Sequence, residues 1–80
     1  MEDRVPTYGE KAVGLSFNSN VTSGDDFVRF VKEQFALLID RLDEARQLEG
    51  RSERARLLSV AITEAQTAQM WAVKAVTWRN

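Results

Sequence analysis

Apolar positions recur at helical period from Ser52 to Trp78, SERARLLSVAITEAQTAQMWAVKAVTW, a stretch with neither Pro nor Gly to interrupt it. Ala61, Ala65, Ala68, Ala72 and Ala75 are spaced four, three, four, three, which makes one narrow stripe of small side chains where another helix can come close. Leu58, Ile62 and Val76 flank that stripe, and Leu57, Val60, Trp71 and Trp78 carry apolar surface well beyond it. Between Leu57 and Trp78 only Glu64 and Lys74 are charged. A surface helix keeps one polar face, so apolar residues nearly all round predict burial on more than one side. One chain of 80 residues does not supply that much burial. The expectation is that this helix lies inside an assembly of copies, with any function between subunits.

A second helical pattern precedes it. Val28, Val31, Phe35, Leu38, Leu42 and Ala45 step three, four, three, four, three, the seam of a helix packed along another, and Phe27, Phe30 and Leu37 form a shorter stripe beside it. Ser23 offers an N-cap, and Asp25 and Asp26 complement the positive end of the helix dipole. Gly50 suits a C-terminal cap and Ser52 the next N-cap. A turn that short folds the two helices into an antiparallel hairpin, each about 37 Å long at 1.5 Å per residue. Upstream, Pro6 can open a short helix at its first position and Gly14 can close it, although Gly9 weakens it by about 1 kcal/mol. The intervening Leu15 to Ser23, LSFNSNVTS, is rich in residues that bond their own backbone and reads as a loop. The predicted fold is all-α and a single domain: a short helix over about residues 6–14, a loop over 15–23, and helices over about 24–49 and 52–78.

Composition narrows the chemistry. With no Cys there are no disulfides and no thiolate zinc site, and with no His the commonest general base and metal ligand is missing. A net charge of −1 and a pI of about 5.4 argue against a nonspecific binder of DNA or RNA. The charge is uneven: residues 1–50 carry −4 and residues 51–80 carry +3. That asymmetry suits self-assembly or a local anion site, and solvated charge alone has the same look. The N-terminus, MEDRVPTYGE, is unlike a signal peptide, and no run reaches the roughly eighteen apolar residues of a spanning helix, so a cytoplasmic protein off the membrane is expected.

Four constellations can carry chemistry. Arg46, Arg51, Arg54 and Arg56 surround the hairpin turn, where guanidinium forks bind phosphate well; the plainer reading pairs them with Asp43, Glu49 and Glu53. Arg56 stands apart, since it lies one turn inside the helix where a buried face is expected to begin. Phe17, with Ser16 and Asn18 in the loop, can stack on a nucleobase while Lys32 takes a phosphate, or Phe17 can pack on the hairpin as a lid. Glu33, Asp40, Asp43 and Glu44 can face one another on a Mg²⁺-binding helix surface, but the last helix offers only Glu64 in reply, so a solvated acidic face is favoured. Trp71 and Trp78, with Lys74 between them, suit anchors at a subunit contact better than a stacking platform.

KAVGLSFN at Lys11 to Asn18, the long helix after it, and above all AITEAQTAQMWAVKAVTW resemble the helical-hairpin sponges by which phages sequester immune signals. These are the anti-CBASS cyclic-oligonucleotide sponges, related through the hairpin to the Thoeris anti-defence sponges. The resemblance covers roughly Lys11 to Trp78, and the loop FNSNVTSG is longer than the FNPSG-like turn it leads one to expect. It implies a homohexamer that binds cyclic dinucleotides in pockets between subunits and, as in some of these sponges, cyclic trinucleotides at separate sites near a three-fold axis, without cleaving them. No cofactor or metal is implied, and the place of action is the cytoplasm of an infected bacterial cell. Phe17 and Lys32 match the loop aromatic and the lysine of the dinucleotide pocket, with Ser16 and Asn18 alongside. Arg56 and Thr63 match the spacing of the trinucleotide site. The alternative from a different class is a non-catalytic helical module for oligomerisation or partner binding, and a Mg²⁺-dependent nucleotide hydrolase ranks last.

Overall fold

The structure, a computed structural model, describes residues 5–14 and 26–79. They form three helices, α1 over Tyr8–Ala12, α2 over Asp26–Glu49 and α3 over Glu53–Val76, with no strand among the described residues. The fold is all-helical. Residues 50–52 join α2 to α3, and the two helices pack along each other as a hairpin with α1 laid on α2. The smallest dimension of the molecule is 12 Å, the width of one helix, so the fold is a single layer.

Local chemistry sets the helix ends. Gly50 takes φ +65°, the left-handed conformation that carries the chain out of α2. The Ser52 hydroxyl then accepts the Ala55 amide at 3.1 Å and caps α3. α1 begins later than Pro6 leads one to expect, because Thr7 rather than Pro6 opens it. The Glu10 amide donates to Thr7 Oγ1 at 3.1 Å and the Thr7 amide donates to Glu10 Oε1 at 2.8 Å. This reciprocal box satisfies two amides at the helix start, and Pro6 at the first helical position would leave no room for it. Gly14, at φ +70°, follows the end of α1 as expected. The predicted loop and its N-cap Ser23 lie outside the described residues.

Gly9 is present for proximity. It is buried, and a Cβ there would run into the Ala36 carbonyl oxygen of α2 and come within 2.8 Å of Asp40 Oδ1. Its amide donates to that same Asp40 oxygen at 2.7 Å. The helix-weakening residue is therefore what lets α1 touch the α2 backbone.

The core is small: Val13 from the end of α1, Ala36 and Ile39 from α2, Ile62 and Ala65 from α3, with Ala12, Phe35 and Leu42 packed against them. This corrects the expected seam. Phe35 and Leu42 border the core as anticipated, but Ala36 and Ile39 lead, while Leu38 is half exposed. Of the alanine stripe, Ala65 is buried within one chain, while Ala68 and Ala75 are exposed. What remains outside is large: Phe27, Phe30, Leu37 and Leu38 on α2, and Leu57, Val60, Trp71 and Trp78 on or just beyond α3. At 3.6 residues per turn these positions lie across each helix from the buried ones. Phe27 and Phe30 stack on each other with ring centroids 6.2 Å apart.

Gly9→Ala is expected to push α1 off α2 and destabilise the fold by about 1–3 kcal/mol, as overpacking against rigid backbone does. Thermal unfolding followed by circular dichroism checks this, and an unchanged midpoint would show that α1 does not sit against Ala36.

Candidate functional site

Lys32 is a half-buried residue on α2, and its ammonium points to the end of α1, 3.5 Å from the Gly14 carbonyl oxygen. That carbonyl belongs to the residue from which the loop departs. Phe17, Ser16 and Asn18, the loop partners expected for Lys32, lie outside the described residues.

Three of the four arginines around the turn pair as their plainer reading had it. Arg46 meets Asp43 at 2.6 Å, Arg54 meets Glu49 at 3.6 Å and Arg56 meets Glu53 at 2.7 Å. Arg56 was expected at the start of a buried face, yet it is exposed; its neighbour Ala55 is the buried residue. The reason is angular: Ala55 points back toward α2 from the first turn of α3, so Arg56 is carried round to the solvent side. The Arg56 guanidinium holds the Glu53 carboxyl below its ordinary value, and Glu53 in turn raises Arg56. Thr63, seven residues on, is exposed on the same face two turns away.

Of the paired arginines around the turn, the half-buried one is instead Arg46. Besides Asp43 it donates to Ser59 Oγ of α3 at 3.1 Å and lies 5.4 Å from the Tyr8 ring centroid in α1. The hydrogen bonds it donates to Asp43 and then to Tyr8 raise its pKa above the ordinary value. One guanidinium thus ties all three helices together, a role not legible beforehand because Tyr8 and Ser59 are distant along the chain.

The acidic face is likewise taken up within the fold. Asp40 accepts the Gly9 amide, Asp43 accepts Arg46 and Gln47, Glu44 pairs with Arg41, and Glu33 pairs with Arg29. Among the described residues no group of three or more carboxylates converges as a metal site would require. Lys74 does stand between the two tryptophans, 5.9 Å from the centroid of each ring. Met70, Trp71 and Lys74 border a shallow open recess of about 200 Å³. No helix among the described residues is long and apolar enough to cross a membrane.

A family model described as "Acb2/Tad1, hairpin domain" matches residues 10–77. No curated protein and no solved structure matches the chain.

Arg46→Ala should cost about 1–3 kcal/mol, because it strips a half-buried carboxylate of its charged partner and releases contacts to two other helices. Arg54→Ala, which breaks an exposed pair, should change stability by no more than a few tenths of a kcal/mol. Chemical denaturation separates the two, and equal losses would refute the tie. In Arg56→Ala the Glu53 carboxyl should titrate at a higher pH than in the parent protein, read by carbon NMR. The sign follows from its depressed value: the pairing is present above the ordinary carboxylate pKa and is lost as pH falls through the folded one.

Proposed function

The chain belongs to the Acb2/Tad1 hairpin-domain family, whose members are anti-defence sponges, and from that premise we propose that it binds and sequesters cyclic oligonucleotide second messengers without cleaving them. Host CBASS effectors then stay inactive because free messenger is scarce. The observation that carries this reading is the family match over residues 10–77, which takes in most of α1, the loop, α2 and α3.

The physical chemistry agrees with it. In this reading copies associate through the outer apolar faces of α2 and α3 into a homohexamer, acting in the cytoplasm of the infected cell, and the clefts between copies hold the ring. Lys32 meets a phosphate, and Phe17, three residues beyond Gly14 in sequence, stacks on a base, with Ser16 and Asn18 beside it. Arg56 and Thr63, exposed on one face of α3, serve cyclic trinucleotides. Stacking at about 1–3 kcal/mol per base, with charge-assisted bonds to phosphate, supports submicromolar affinity in a cleft that assembly has already formed. With no His and no Cys in the chain, and with Asp40 and Asp43 engaged in the fold, the residues suit holding a ligand better than hydrolysing it.

Calorimetric titration with a panel of cyclic di- and trinucleotides, followed by heat denaturation and chromatography of the ligand, tests the reading. Intact ligand should return. Phe17→Ala and Lys32→Ala should each weaken dinucleotide binding about tenfold or more, roughly 1.4 kcal/mol, while Arg56→Ala weakens trinucleotide binding alone. Unaltered isotherms in all three variants would remove the site assignment. Silence with every ring would leave a partner-binding module, and a cleaved ligand would make the protein an enzyme.

A further inference from the structure

We propose that Asp40 is a positioning residue for the Lys32 ammonium: it secures one end of α1, and the other end of α1 steadies Lys32. The proposal rests on the reading of Lys32 as the phosphate-facing cation given above. Asp40 and Lys32 are eight residues apart on α2, about 12 Å along its axis, and α1 runs antiparallel to α2 between them.

The chemistry at the two ends is complementary. The Gly9 amide belongs to the first turn of α1, where no carbonyl of the helix itself is available, and Asp40 Oδ1 accepts it at 2.7 Å. That places a carboxylate at the positive end of the α1 dipole. At the negative end the Lys32 ammonium faces the Gly14 carbonyl oxygen at 3.5 Å. One helix therefore supplies both the anion and the cation that a second helix needs.

α1 has five helical residues and does not hold its shape alone. It stays helical because α2 grips it at Asp40, because Gly9 lies flush on Ala36, and because Val13 reaches the core. Releasing the Asp40 end lets α1 swing, and the Gly14 carbonyl leaves Lys32. A long, flexible ammonium that has lost this restraint must be ordered by the ligand itself, which weakens binding although Asp40 touches no ligand.

Affinity for the cyclic dinucleotide panel, measured by calorimetry on the full chain, decides the matter through a double-mutant cycle. Asp40→Ala should weaken binding about three- to tenfold, and Asp40→Asn, which keeps an acceptor oxygen, should recover most of the loss. In the Lys32→Ala background Asp40→Ala should cause little further loss, since the group it positions is gone. Wild-type affinity in Asp40→Ala, or losses that multiply in the double variant, would overturn the proposal. If Asp40→Ala lacks the helical circular dichroism of the parent, Asp40→Leu, which keeps the bulk but offers no acceptor, replaces it in the same cycle, with the same outcomes for and against. A parent protein that binds no ring at all would instead overturn the sponge reading, and the positioning role with it.

Discussion

Among the described residues Ile39 and Ile62 are the large side chains that are fully buried, in the core where α2 meets α3 and the end of α1, and a layer one helix thick offers the long helices no second such core among these residues. Each long helix therefore spends one apolar face on the hairpin and leaves another to water. Trp71 and Trp78 are 66% and 63% exposed, and Phe27 is 61% exposed. Covering a half-exposed ring or aliphatic chain is worth on the order of 1 kcal/mol or more. Eight or so such residues on each copy bring the total to about 10 kcal/mol, comparable with the whole stability of an ordinary small domain. The proposed association of copies would cover these faces and, on this scale, add as much stability as the fold of one chain does.

The same two-sidedness explains what the sequence could and could not reveal. The helices, their short connection, the Gly50 exit and the Ser52 cap were legible because each depends on near neighbours in the chain. The facing residues were not. A helix with one apolar stripe announces which side it buries, but α2 offers more than one consistent stripe, and periodicity alone does not choose between them. The choice is made by α1. Gly9 sits on the α2 backbone at Ala36, which turns Ala36 and Ile39 inward and leaves Leu38 half in water. The start of α1 was in principle readable, since Thr7 and Glu10 stand at the spacing of a capping box, a stronger signal than Pro6.

The candidate site divides along similar lines. The pairing of the turn arginines with Asp43, Glu49 and Glu53 followed from charges close in sequence. The roles of Arg46 and Asp40 did not, because Tyr8, Ser59 and Gly9 reach them only through tertiary packing. Both residues fasten α1, and α1 leads directly to Gly14, to Lys32 and to the start of the loop. A five-residue helix that contributes little to the core thus has the larger part in setting where the Lys32 ammonium lies. Family membership points to the class of ligand, and the exposed apolar faces of α2 and α3 are where the proposed association of copies would build walls around it.

Sedimentation velocity at low micromolar concentration, with no ligand added, measures that need directly. A folded species several times the 9.1 kDa of one chain is the expected result. A helical, cooperatively melting 9.1 kDa monomer would contradict it, because the outer faces of α2 and α3 would then be stable in water and no cleft between copies would exist.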